Sequence, residues 1–396
     1  MPDPRQPGPR LAGRWERQES GYRAFIPADL PPDPALELTV ALLQRLSAAD
    51  RALGRLDGIA TTLPNPRLFV AMYVRQEAVL SSQIEGTQST LEDLLAFEAV
   101  PSPAEAPGDV AEVVRYVQAM DHGLRRLPDF PLCLRLIREV HGVLMAEGRG
   151  SEREPGEFRR SQNWIGPGGC TLRDATFVPP PPHALMGCLG NLENFLHAGE
   201  SYPALIQAAL VHAQFETIHP FLDGNGRVGR LLVTLFLCER GILHQPLLYL
   251  SVFLKRHRAE YYDRLTAVRA RGDWEGWVDF FLRGVAEVSD QAAQTAAEIL
   301  ALRESARAKV RTPAARELIE KAFEHPVLSV RTAEGLLGTT FATANKAVDE
   351  LVEVGLLLEV TGQRRNRRYH FDPYLRLFRG DPADVDTPPP VHTHVP

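Results

Sequence analysis

Apolar residues recur every three to four positions over most of this chain, and that spacing predicts a mainly α fold. The pattern sets in near residue 35. It gives helices at 36–58, closing on Asp57-Gly58, and at 67–86, after the break at Pro64-Asn65-Pro66. A third, 89–99, opens on Ser89-Thr-Leu-Glu92, the spacing of a capping box. Further helices are expected at 109–126, 132–147, 183–197, 202–217 and 225–240. An interrupted helical stretch follows over 251–310, in which Trp274, Trp277, Phe280 and Phe281 read as core. Between them, 148–182 is rich in Gly and Pro but carries Thr176, Phe177 and Val178 ahead of four prolines, and reads as a loop with a small irregular β-hairpin. The first 34 residues are dominated by Pro, Arg and Gly and read as an extended segment.

The last hundred residues follow a different pattern. Helices are predicted at 312–325, 329–336 and 341–353, then a hairpin whose tip, Gly362-Gln-Arg-Arg-Asn-Arg-Arg368, is strongly basic. Three helices and a basic hairpin form the winged-helix pattern. The Pro/Ala run at 100–108 marks a further seam. The expected organisation is therefore an extended segment 1–34, a helical segment 35–108, a core with its following helices 109–310, a winged helix 311–380 and a disordered tail 381–396.

Composition narrows the class. With 396 residues, 44% hydrophobic and 24% charged, the chain can bury the core of two or three soluble domains. Its net charge of −6 argues against coating nucleic acid over the whole surface, while leaving room for a local basic patch. Cys133, Cys170, Cys188 and Cys238 have no Cys-x-x-Cys spacing and read as reduced thiols. The N-terminus has no apolar signal core, and the most apolar run, 231–238, is too short to span a bilayer. A cytoplasmic protein without a membrane partner is expected.

The chemistry concentrates in 215–232, which reads FETIHPFLDGNGRVGRLL. Gly224-Asn225-Gly226 opens a helix, so consecutive backbone N–H groups converge at its positive end and form an anion cradle. Arg227 and Arg230, at i and i+3, can reach further phosphate oxygens. Asp223 is an oxygen ligand placed where a phosphate-bound Mg²⁺ would sit. His219 has the pKa for general-base work at neutral pH. Each element alone is ordinary turn or helix-surface chemistry; together, within a dozen residues, they point to phosphoryl or nucleotidyl transfer. Gly224-x-Gly226-x-x-Gly229 also matches a dinucleotide-binding fingerprint, but a helix and a proline precede it where a buried strand is needed. No Gly-Lys-Ser/Thr phosphate loop is present.

Residues 219–230 resemble the motif His-x-Phe-x-Asp/Glu-Gly-Asn-Gly-Arg-x-x-Arg of the Fic (filamentation induced by cAMP) family, matching it at every position. The segments GEFRRSQNWIG from Gly156 and TFVPPPP from Thr176 resemble that family's flap, and Ser81-Ser-Gln-Ile-Glu85-Gly86 its inhibitory motif. The likeness covers about 36–310 and implies a helical core with a β-hairpin flap. It implies protein adenylylation, in which AMP passes from ATP to a Ser, Thr or Tyr hydroxyl. His219 would be the base, Phe221 would pack inward, Asp223 would hold Mg²⁺, and Gly224, Asn225 and Gly226 would form the anion hole. Arg227 would bind the β-phosphate and Arg230 the γ-phosphate. Gly226 departs from the Lys found there in a phosphate-transferring branch of the family. Nothing in the motif selects the base of the nucleotide.

By the same resemblance Glu85 would pair with Arg230 and block the γ-phosphate, steadied by Ser81, and Thr176, Phe177 and Val178 would dock a target by strand addition. Self-modification and a homodimer are compatible with this reading. Arg364, Arg365, Arg367 and Arg368 on the wing suit contacts to a DNA backbone. The alternative is a DNA-binding regulator whose core only senses nucleotide.

Overall fold

The computed structural model describes residues 12–62, 66–99, 108–199, 202–363, 366–378 and 392–394. It opens with a β-hairpin, β1 (Gly13–Arg17) and β2 (Arg23–Pro27), in a segment whose Pro and Gly content had suggested only an extended arm. Composition misleads here because the adjacent Phe25 and Ile26 both bury themselves in the main core. Then come α1 (Val40–Thr62), α2 (Pro66–Ile84), α3 (Leu91–Ala99), α4 (Gly108–Arg126) and α5 (Leu134–Leu144). The short β3 (Trp164–Gly166) precedes α6 (Pro182–Leu196), α7 (Ala204–Ile218), α8 (Asn225–Glu239), α9 (Leu250–Arg256), α10 (Arg258–Arg271) and α11 (Trp274–Lys309). The proposed cap of α3 is shifted by one residue. Thr90 Oγ1 accepts the N–H of Asp93 at 3.1 Å, and Asp93 returns the bond to the N–H of Thr90 at 2.8 Å.

The core is organised around α7, in which every residue from Leu205 to Ile218 is buried. A helix apolar on all sides needs neighbours on all sides; α6, α8, α10 and α11 supply them. α8 packs on α7, joined to it by the short loop 219–224 that carries the polar motif. α2 and α4 lie against α8, and α1 runs along α11. The site is thus a polar loop between two largely buried helices, bordered by α2 and α4.

The C-terminal unit has the order α12 (Pro313–Ala322), β4 (Val327–Ser329), α13 (Val330–Leu337), α14 (Phe341–Glu353), β5 (Leu358–Glu359), β6 (Arg368–His370) and α15 (Asp372–Leu375). Its sheet order is β4-β6-β5, all antiparallel. Of the basic tip, Arg364 and Arg365 lie outside the described residues; Arg367 stands 5.7 Å from the centre of the Tyr369 ring. This unit shares the main core. Phe378 meets Tyr73 of α2 edge to face at 5.3 Å, and Gln76 donates to the Phe378 carbonyl at 3.2 Å. The expected tail 381–396 lies outside the described residues except for β7 (His392–His394), a strand that pairs with β3. No helix among the described residues is long and apolar enough to cross a membrane.

Candidate active site

The loop begins where α7 stops. His219 takes a left-handed backbone (φ 50°, ψ 63°), and its N–H still bonds the Phe215 carbonyl at 2.9 Å. A non-glycine residue accepts that conformation only when its surroundings hold it there. Arg159 supplies the hold. Its Nε donates to the His219 carbonyl at 2.9 Å and its Nη2 to the Pro180 carbonyl at 2.6 Å, while its own N–H bonds the Pro220 carbonyl at 2.9 Å. Asn163 Nδ2 adds bonds to the carbonyls of His219 and Phe221, at 3.2 and 2.9 Å. The flap and the 219–224 loop are therefore tied together by two buried side chains.

Phe221 fixes the middle of the loop, stacked on His141 at 3.7 Å and 6°. Asn225 closes it. Its Oδ1 accepts the Phe221 N–H and its Nδ2 donates to the Phe221 carbonyl, both at 2.8 Å. Its side chain thus shapes the cradle, leaving the anion to the backbone. Gly224 caps α8 at φ 75°, and a Cβ there would also meet Met145 Sδ at 2.8 Å.

His219 is buried, with Nδ1 3.4 Å from the Glu216 carbonyl and 3.9 Å from Glu216 Oε2. Burial first, then the nearby Arg269 and Arg159 charges, pull its pKa down to about 3, so the ring is neutral at pH 7. Burial likewise lifts the Glu216 carboxyl to about 7.

The two arginines of α8 are both engaged. Arg227 Nη1 pairs with Glu112 Oε2 of α4 at 3.1 Å, and Nη2 lies 3.8 Å from Asp223 Oδ1. Arg230 Nε donates to Ser81 Oγ at 2.7 Å, and Nη2 to the Ser81 carbonyl at 2.9 Å and to Glu85 Oε1 at 2.7 Å. Burial opposes the Glu85 charge, but Arg230 more than offsets it and holds the carboxyl below its ordinary range. Glu85 also overlies the cradle, since a Cβ on Gly226 would collide with its Oε1. Behind Arg230, buried Glu77 accepts from Tyr116 at 3.2 Å and from the Ser251 side chain.

Asp223 is the most open of these groups. Its Oδ1 accepts the Gly224 N–H at 2.6 Å, and its side chain is 37% exposed. A Cβ on Gly150 would press on Oδ2 at 2.6 Å, so the glycine keeps that oxygen clear. Among the described residues no group of three or more His, Cys, Asp or Glu side chains could hold a metal by itself. One carboxylate beside an anion cradle suits a cation that brings phosphate oxygens as its other ligands.

The flap departs from expectation. Phe177 exchanges both backbone bonds with Ile165, at 2.9 and 3.0 Å, and the Val178 carbonyl accepts from Phe25 of β2 at 2.9 Å. Thr176–Val178 is therefore enclosed, bridged to Ile165 at Phe177 and bonded to Phe25 at Val178, with Phe177 and Val178 buried, and the other side of β3 pairs with β7. Beside it is a cavity of about 760 Å³ lined by Tyr22, Ile165, Phe177, Tyr262 and Arg269 among others.

Sequence reading located every residue of the 219–230 loop and the Ser81/Glu85 pair, and the structure brings them together. It did not single out Arg159, Asn163, Glu112 or Glu216. The signal for the first two was the polar density of Arg159-Arg-Ser-Gln-Asn163 between apolar neighbours; nothing local marks the two glutamates.

A model of the Fic/DOC family N-terminal region matches residues 43–125, and one of the Fic/DOC family matches 131–237. The protein adenylyltransferase Fic of Aedes aegypti is 32% identical over 162 residues, which are 40% of this chain and 28% of that protein. A probable protein adenylyltransferase of Aquifex aeolicus (strain VF5) is 40% identical over 70 residues, 18% of this chain and 22% of that one. The chain thus spans less than a third of the length of these relatives. The crystal structure of a Fic family protein from Desulfovibrio desulfuricans G20 superposes with a TM-score of 0.56 at 23% identity, covering 85% of this chain and 97% of the other, a likeness of fold.

Proposed function

Because this chain belongs to the Fic/DOC family, we propose that it is a protein adenylyltransferase, transferring AMP from ATP to a Ser, Thr or Tyr hydroxyl and held at rest by Glu85. The observation that carries this reading is the carboxylate already seated on the cradle. Glu85 lies over Gly226 and pairs with Arg230, so the start of α8 is built to receive an anion beside a neutral imidazole.

His219 accepts the proton of the incoming hydroxyl, for which its neutral ring is ready at pH 7. The first-turn N–H groups of α8, which have no carbonyl ahead of them in the helix, hold the phosphate oxygens. Arg230 takes the terminal phosphate once Glu85 leaves, and Arg227 the one before it. Asp223 would hold Mg²⁺, which when bound would neutralise charge on the triphosphate. Pyrophosphate leaves and AMP stays on the target.

Mass spectrometry of protein incubated with Mg²⁺ and each nucleoside triphosphate in turn tests the reading. AMP-modified protein is expected with ATP, most strongly for Glu85→Gly. Hydrolysis of nucleotide without any labelled protein would sink it.

A further inference from the structure

We propose that Glu77 is a positioning residue for Arg230, a second carboxylate that stays behind the guanidinium when Glu85 leaves and sets how tightly the next anion is held. Its effect on binding rests on the anion cradle alone; its effect on labelling rests also on the transferase reading above.

The Arg230 side chain is only 2% exposed, and a buried cation left without a partner is costly. If Glu85 moves aside, another charge must offset the guanidinium until a phosphate arrives. Besides Glu85, two buried carboxylates among the described residues feel it, Glu77 and Glu216. Glu216 is poorly suited. Burial lifts its carboxyl to about 7, and its Oε1 has no hydrogen-bond partner. Glu77, in α2, is held as an acceptor on both oxygens. Its Oε1 accepts from the Tyr116 hydroxyl at 3.2 Å and from the Ser251 hydroxyl, and its Oε2 from the Ser251 N–H at 3.2 Å. An amide N–H can only donate, so this surround favours the ionised carboxylate. Burial raises the Glu77 carboxyl too, but Ser251, Arg230 and Tyr116 all act against that rise.

Glu77 is linked to Arg230 through hydroxyls. Tyr116 of α4 interacts with Ser81 as well as with Glu77, and Ser81 Oγ accepts from Arg230 Nε at 2.7 Å. Glu77 and Ser81 are at i and i+4 on α2, one above the other on the same face. That face carries the hydroxyl that orients the guanidinium and the carboxylate behind it, while Glu85, just past the helix end, supplies the charge in front. Glu77 has a plainer role as well. Ser251 is the second residue of α9, whose first N–H groups have no carbonyl ahead of them, so Glu77 caps that helix. The two roles predict opposite signs. Losing a cap can only loosen the site, whereas losing a standing negative charge leaves Arg230 more attractive to whatever anion sits in front of it.

Calorimetric titration of the full-length protein with inorganic triphosphate reads that sign. In the Glu85→Gly background, Glu77→Gln should tighten triphosphate binding roughly tenfold, the effect of removing one charge at an intermediate dielectric. With Glu85 in place the same change should alter binding less than about twofold, because Glu85 and the incoming anion gain alike from the stronger cation. Weaker binding in both backgrounds, or unchanged binding in Glu85→Gly, would leave Glu77 only a cap of α9 and overturn the proposal. Should Glu77→Gln fail to fold, Glu77→Met/Ser251→Ala removes the carboxylate together with a donor it satisfies and must give the same signs. With ATP and Mg²⁺, adding Glu77→Gln to Glu85→Gly should lower KM and leave kcat little altered, as for binding shared by ground and transition states; a raised KM would count against it. If neither variant labels protein while the triphosphate shifts appear, the transferase reading has failed and the role of Glu77 in binding stands.

Discussion

Glu85 and the Cβ that Gly226 lacks claim the same point in space. Glu85→Gly should therefore free both Arg230 and the cradle, raising labelling by roughly 10²-fold or more, because correct alignment is most of what such a site contributes. Gly226→Ala should expel the same carboxylate and yet stay inactive, since its methyl group fills the place of a phosphate oxygen. Labelling by both variants would show that displacement of Glu85 is all that matters. His219 gives a separate expectation. Its pKa of about 3 keeps the ring neutral well below pH 6, so labelling by Glu85→Gly should persist as pH falls from 7 to 5; half-loss near 6.5 would mean an ordinary exposed histidine. Gly226 and His219 were legible in the sequence because they sit in one dense polar loop, and Glu85 because its surrounding motif carries the resemblance. Glu112 was not, because its partner Arg227 comes from another element, and Glu216 was not, because what sets it apart is its burial, which no local spacing shows.

At the scale of elements, Arg159 acts as a clasp between the flap and His219. Arg159→Lys keeps a charge but loses the fork that reaches His219 and Pro180 together. It should lower kcat of an activated enzyme more than it raises the KM for ATP, as steady-state kinetics in the Glu85→Gly background can check; an unchanged kcat would make Arg159 packing only. The helices themselves were readable from periodicity, since nearly all are amphipathic or deeply apolar. The errors fell where short-range signals compete. Ser89 and Thr90 both offer a hydroxyl, with Glu92 and Asp93 three residues on, and the choice turns on Ser89 being buried. Thr90→Ala should accordingly cost about 1 kcal/mol by thermal melting and Ser89→Ala much less at that cap. The strands were least legible, because β2, β3 and β7 are too short to show a period of two.

Across the whole molecule, the C-terminal unit leans on α2, the helix that carries Ser81 and ends just before Glu85. Phe378 meets Tyr73 and Gln76 of α2, twelve and nine residues ahead of Glu85. Sequence suggested an independent appendage, because a winged-helix pattern says nothing about what its last helix touches. Phe378→Ala should loosen α2 and raise basal labelling of the otherwise wild-type protein; unaltered labelling would mean that the two parts work separately. Stability should respond to acid through the buried core. His212, bonded to the Gly229 carbonyl and Tyr261, has its pKa lowered by burial to about 4. The unfolded chain therefore binds the extra proton below about 6.5 and stability falls as pH drops. Compared with His212→Gln, wild type should lose about 1.4 kcal/mol per pH unit between 6.5 and 4.

The Glu85–Arg230 contact makes the resting site comparable to a loaded ion exchanger. The guanidinium is not bare: its counter-ion is the Glu85 carboxylate, tethered just beyond α2, and under the proposed function a triphosphate would enter by exchange. Binding then measures the difference between two anions for one cation, so the tether sets the selectivity. Any anion that fits the cradle without offering an α-phosphorus, inorganic triphosphate for example, would elute Glu85 while leaving the acceptor unmodified.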